Sequence, residues 1–222
     1  MLTRHIEVKR TARYHVLGDP ERDWDEVWYV LHGYGQRADA FLDACGALAA
    51  PGRLVVAPEG LSRFYARGTN GQVGASWMTK EDREQEIQDY VSYLDAVHCA
   101  MRDTRPGRAK ARIGVLGFSQ GTATAARWCV LGKIRASRLV LWGSGFPPDL
   151  DPAEAGESLR EVQVELVLGE ADPYFDGQRG TAEVERLQSV VPHAVEVSYA
   201  GAHEIDAKTL AGLATLPAGG LG

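Results

Sequence analysis

Short apolar runs alternate with helix-forming stretches along most of this 222-residue chain. That alternation is the pattern of a mostly parallel sheet covered by helices on both faces, so the fold class is α/β. Strands are expected at 7–9, 14–17, 27–31, 54–57, 113–116, 139–142, 162–168 and 195–199, the first two as an antiparallel edge pair. Helices are expected at 38–49, 82–101, 121–131, 181–190 and 204–213. The second is the best supported. Ile87, Tyr90, Val91, Leu94, Val97, His98 and Met101 recur at helical spacing, and acids crowd the first turn, where the helix dipole favours them. His98 on that stripe reads as a core histidine. There is no internal repeat, and the length suits one domain, 1–222, too short to carry a separate cap as well. The tail at 217–222 is expected to fray.

The run Ile113-Gly114-Val115-Leu116 leads into Gly117-Phe118-Ser119-Gln120-Gly121, and Thr122-Ala123-Thr124-Ala125-Ala126 leads out of it. Strand, sharp turn and helix around Gly-x-Ser-x-Gly hold a serine hydroxyl exposed on strained backbone. Ser119 is therefore the candidate nucleophile. A serine of ordinary acidity needs a histidine base, oriented by a carboxylate. In this architecture the chain order is serine, acid, histidine, which leaves His193 and His203 of the six histidines. His193 opens a strand, whereas His203 follows it, at the carboxyl edge where ligand sites of parallel sheets form. His203 is the expected base. The acid should lie in the loop after the preceding strand, Gly169-Glu170-Ala171-Asp172-Pro173-Tyr174-Phe175-Asp176. Asp172 is the choice, Asp176 the runner-up, and Glu170 a solvated loop charge.

Two backbone amides must meet the negative charge that develops on an attacked carbonyl. One is assigned to Gln120, after the nucleophile. The other is assigned to Tyr34 in His32-Gly33-Tyr34-Gly35, which follows an earlier strand and lets the backbone approach a ligand closely. The segment from Glu59 to Lys80 has no apolar periodicity and is expected to be a long loop beside the site. Its Phe64, Tyr65 and Trp77 are candidates to wall an acyl pocket, and its Arg63 and Arg67 read as solvated.

The net charge of −6 and pI near 5.5 leave no basic footprint for nucleic acid. The amino terminus lacks a signal-peptide core and no stretch is long and apolar enough to span a bilayer. The chain reads as cytoplasmic, with no stable membrane insertion. Cys45, Cys99 and Cys129 sit in apolar patterns and read as buried, reduced thiols. No metal-ligand spacing or phosphate loop occurs, so neither metal nor cofactor is expected. Nothing in the sequence fixes an oligomeric state.

Leu31-His32-Gly33-Tyr34-Gly35, Val55-Val56-Ala57-Pro58, Ser76-Trp77, Gly117-Phe118-Ser119-Gln120-Gly121, Gly169-Glu170-Ala171-Asp172 and Gly201-Ala202-His203 occur in this order. In these pieces the chain resembles the phospholipase/carboxylesterase family of α/β-hydrolases, which includes acyl-protein thioesterase-like enzymes. The resemblance implies a compact, cofactor-free serine esterase acting on small-molecule carboxylic esters or thioesters. The chain departs from the family at Tyr34, where a smaller apolar residue is common, and in the segment from Glu59 to Lys80. An acyltransferase or peptidase using the same triad, and a non-catalytic binding protein of the same fold, are the alternative functions.

Overall fold

The computed structural model describes residues 2–104, 111–175 and 177–215. Its elements run β1 (Tyr14–Leu17), β2 (Glu26–Leu31), α1 (Ala38–Ala44), β3 (Arg53–Pro58), β4 (Ser62–Tyr65), β5 (Val73–Ser76), α2 (Arg83–Asp103), β6 (Arg112–Phe118), α3 (Gln120–Leu131), β7 (Arg138–Trp142), α4 (Pro152–Ser158), β8 (Gln163–Gly169), α5 (Gly177–Val190), β9 (Val195–Tyr199) and α6 (Ala207–Leu213). Seven strands form one sheet in the order β1-β3-β2-β6-β7-β8-β9, parallel throughout except for β1 against β3. This is the α/β architecture read from the alternation.

Every residue of β2 is buried, and its side chains divide by alternation. Val27, Tyr29 and Leu31 join the core under α2, α3, α4 and α5, while Trp28 and Val30 join the core under α1 and α6. A strand buried on both faces must be apolar at both parities, which is why these runs lack a polar alternation. The predicted stripe of α2 is buried at all seven positions. His98 on that stripe meets the Tyr29 hydroxyl at 2.9 Å, a core histidine as expected.

The amino end of the sheet is tied by ion pairs. Glu26 holds Arg53 at 2.6 Å and also pairs with Arg112, and Arg138 holds Glu165 at 2.7 Å with both side chains buried. From β2 the chain steps to β3 on one side, whereas the later strands extend from β6 on the other. The switch in direction lies between β2 and β6, paired through Leu31 and Gly117, and a crevice opens outside the carboxyl ends of strands at such a point. His32 and Ser119 follow those two strand ends.

Several expectations are corrected. Residues 7–9 form no strand, and β1 pairs with β3 instead; Glu7, Val8 and Lys9 are all exposed, and a three-residue run with two charges has no face to bury. The segment from Glu59 to Lys80 contains the antiparallel hairpin β4–β5, whose four-residue strands are too short to show a period. Helix α4 was also missed. Asp151 caps it by accepting from Glu154 N at 2.9 Å, with Pro152 in the first turn, but Ala155 is its one buried side chain, so no apolar stripe marks it. The helix expected at 38–49 breaks at Cys45 into α1 and a 3-10 turn, Gly46–Leu48. Helix α5 begins earlier than expected and α6 later, the latter behind an Asp206 cap. Cys45 and Cys129 are buried free thiols, whereas Cys99 is exposed. The tail at 217–222 lies outside the described residues.

Candidate active site

Ser119 sits between β6 and α3 with φ 52° and ψ −116°. A positive φ in a residue with a Cβ costs on the order of 1–3 kcal/mol and persists only where the surroundings impose it. They do so here. Ser119 N donates to Trp142 O at 2.8 Å, and Thr122 N donates back to Ser119 O at 3.0 Å. A Cβ at Gly117 would collide with the Gly121 carbonyl, and one at Gly121 with the Leu31 carbonyl. The two glycines of the pentapeptide let the turn close onto its own helix and onto β2.

His203 lies in the loop after β9, and its Nδ1 is 2.7 Å from Asp172 Oδ2. The Asp172 side chain is fully buried while that of His203 is 19% exposed. A carboxylate accepts, so Nδ1 carries the proton and the Nε2 lone pair is free to take another. Asp172 is fixed from its own loop, accepting from Tyr174 N at 2.9 Å through Oδ1 and donating its amide to Gly169 O at 3.0 Å. The imidazole packs between Phe118, at 4.8 Å between ring centroids, and Tyr174, also at 4.8 Å. Phe118 is the residue before Ser119, so the ring is held against the turn that carries the serine.

The loop after β2 spends its amides selectively. Gly33 N donates to the Gln36 side chain at 2.7 Å, Gly35 N to Ala75 O at 2.8 Å and Gln36 N to Gly33 O at 3.2 Å. The amides of Tyr34 and Gln120 have no acceptor among the described residues. A Cβ on Gly33 would stand 3.2 Å from Ser119 Cβ, so this loop lies directly on the serine.

His32 is buried beneath that loop. Burial lowers its pKa against the opposing pull of Gly33 O and Glu59, and the neutral ring donates from Nδ1 to Gly33 O at 2.8 Å and accepts Gly60 N at Nε2 at 2.9 Å. It thereby ties the loop after β2 to the end of β3. Gln120 makes a second tie through its side chain, accepting Trp77 N at 3.1 Å and donating to Met78 O at 2.8 Å.

The residues singled out from the sequence separate here. Asp172 and His203 meet in a hydrogen bond, and Tyr34 and Gln120 lie on the two segments that flank Ser119. Phe64 stacks on Tyr34 at 5.2 Å, and Phe64 and Tyr65 line a cavity. Trp77, expected beside them, is 1% exposed. Its indole stacks on His32 at 5.0 Å and donates to His32 O at 2.8 Å, so it props the loop from below and offers no surface to a pocket. His193 Nε2 donates to Val162 O at 2.8 Å, ahead of β8 and β9 at the amino end of the sheet and away from Ser119. Asp176 lies outside the described residues. Tyr174 was missed although its loop was recognised, because nothing local distinguishes a tyrosine over an imidazole from one in solvent. Among the described residues no group of three or more His, Cys, Asp or Glu is placed to hold a metal, and no helix is long and apolar enough to cross a membrane.

Comparison with solved structures gives the same architecture in known esterases. The acyl-protein thioesterase 2 of Zea mays aligns with a TM-score of 0.69 at 19% identity, over 92% of this chain and 96% of that one. A carboxylesterase from Mesorhizobium loti aligns at 0.68 and 18% identity, over 91% and 93%, and esterase PE8 at 0.64 and 18%, over 92% and 97%. Comparison with curated proteins returns no match. The family description "Phospholipase/Carboxylesterase" matches residues 15–216. With nearly the whole chain inside that match, and with the sheet order and serine turn described above, the protein belongs to the phospholipase/carboxylesterase family and is an α/β-hydrolase of the serine-esterase type.

Proposed function

We propose that the protein hydrolyses carboxylic esters or thioesters of small to medium acyl groups, with Ser119, His203 and Asp172 as its triad and the Tyr34 and Gln120 amides as its oxyanion hole. The observation that carries this reading is the 2.7 Å bond from His203 to a buried Asp172 at the sheet edge where Ser119 is held at positive φ. Ser119 Oγ bonds to the acyl carbon as His203 Nε2 takes the hydroxyl proton, and the carbonyl electrons move onto oxygen, facing the two amides. Collapse expels the alcohol or thiol, which leaves with the proton from His203. Water then repeats the cycle on the acyl-enzyme and releases the acid. Asp172 keeps the imidazole in the tautomer with a free Nε2 and stabilises the imidazolium. Phe64 and Tyr65 contact the substrate beside the oxyanion loop.

A fluorophosphonate probe tests the assignment. Labelling of the wild type that disappears in Ser119→Ala, with hydrolysis of p-nitrophenyl acetate reduced by several orders of magnitude, is expected. Undiminished labelling of the variant would remove Ser119 from the role.

A further inference from the structure

A cavity of about 430 Å³ is lined by Arg13, Arg37, Arg63, Phe64, Tyr65 and Val73. Three guanidinium groups around one cavity stand out in a chain whose net charge is −6. Local acids neutralise them incompletely. Glu59, 2% exposed, takes Arg13 in a two-pronged pair at 2.7 and 3.0 Å, and the contact from Arg63 to the same carboxylate is 3.9 Å. Arg37 pairs with Asp39 across one residue. Three cations thus share two carboxylates, and all three side chains are about two-fifths exposed, at 43%, 41% and 43%. Arg63 read from the sequence as a solvated charge, and it is exposed, on the lining of this cavity.

The cavity adjoins the proposed oxyanion hole. Phe64 on its wall stacks on Tyr34, and Gly35 N and Ala75 N bond the loop to the hairpin that carries Phe64 and Val73. Arg37 is four peptide steps from Gly33, which lies against Ser119, a span of at most about 14 Å. We propose that this cavity binds an ionised oxoanion group, carboxylate or phosphate, at the far end of the ester substrate. A guanidinium fork matches either group through paired N–H donors, and Phe64 and Tyr65 cover the hydrocarbon between anion and ester. The proposal deepens the esterase reading above and rests on it.

The test compares kcat/KM for three p-nitrophenyl esters of similar reach: the monoester of adipic acid, its methyl-capped neutral partner, and a hexanoate bearing a terminal phosphate. At least one anionic ester is expected to exceed the neutral one by about tenfold or more, as one charge-assisted bond of this kind is worth. The larger ratio identifies carboxylate or phosphate as the group. That ratio should fall as ionic strength rises, drop severalfold in Arg63→Gln, and return only in part in Arg63→Lys, which restores the charge without the paired donors. Neutral cleavage with a smaller anionic ratio, or a ratio that survives Arg63→Gln combined with Arg37→Gln, would overturn the anion site alone. Cleavage of none of the three, with no fluorophosphonate labelling, would overturn the esterase reading and this proposal together.

Discussion

The backbone carbonyl of His32 accepts the Trp77 indole N–H at 2.8 Å while the two rings stack at 5.0 Å, so one tryptophan holds both the main chain and the side chain of the residue that begins the proposed oxyanion loop. Trp77→Phe keeps an aromatic face against His32 and removes the donor, leaving a buried carbonyl unpaired. A stability loss of about 1–3 kcal/mol is expected. If the indole also positions the loop, kcat should fall more than KM rises, and thermal melts beside steady-state kinetics would show the two effects separately. Full stability and full kcat in the variant would refute this role.

Asp172→Asn tests the orientation of the imidazole. The amide fills the same buried space but can present N–H to Nδ1, favouring the wrong tautomer, and a loss of about 10⁴-fold in kcat is expected. The fold should survive. Retention of most activity would exclude Asp172 as the orienting acid.

Asp149 makes stability depend on acid in a defined window. Burial opposes its ionisation, yet Arg127, at 2.7 and 3.0 Å, and Arg83, at 2.7 Å, bring its pKa from 3.8 down to about 2. An acid that is stronger in the folded state binds fewer protons there, so its contribution is complete above the unfolded pKa and fades as pH falls through the folded one. Urea melts between pH 5 and 2 should show up to about 2 kcal/mol of stability loss that Asp149→Asn does not share. Asp149→Asn should also be less stable at neutral pH, because Arg127, 5% exposed, is left without its carboxylate. Parallel curves for the two proteins would dismiss the assignment.

For neutral p-nitrophenyl esters, kcat/KM should climb and then fall with acyl length, since each buried methylene adds about 0.8 kcal/mol only until the wall of the pocket is reached. A maximum at short to medium chains is expected, with no jump in rate at the micelle point. A long-chain maximum accompanied by that jump would indicate a surface built for lipid.

The sheet was legible because its strands are buried on both faces: a run such as Val27 to Leu31 has few other places to go. The serine turn was legible for a similar reason, since Gly117 and Gly121 are demanded by backbone contacts within a few residues and across to β2. What escaped was set by partners distant in sequence. Trp77 lies in a stretch with no period, and 45 residues separate it from His32, so nothing nearby reveals that it faces inward. The β4–β5 hairpin and the three arginines around its cavity were hidden likewise, because four-residue strands carry too little pattern and charges converge only after folding.

The hairpin is fastened along one strand and open at its turn. Along β5 its backbone approaches the loop after β2 so closely that a Cβ on Gly74 would stand 2.5 Å from Gly35 O, whereas its turn, closed by Ala66 N to Gln72 O at 2.8 Å, carries exposed residues from 66 to 70. Length and composition can therefore drift at the tip while the root stays fixed, and such exposed tips are where insertions are best tolerated. Divergence in the surface beside the site can accumulate there, outside the loop that lies on Ser119, while that loop keeps its backbone course.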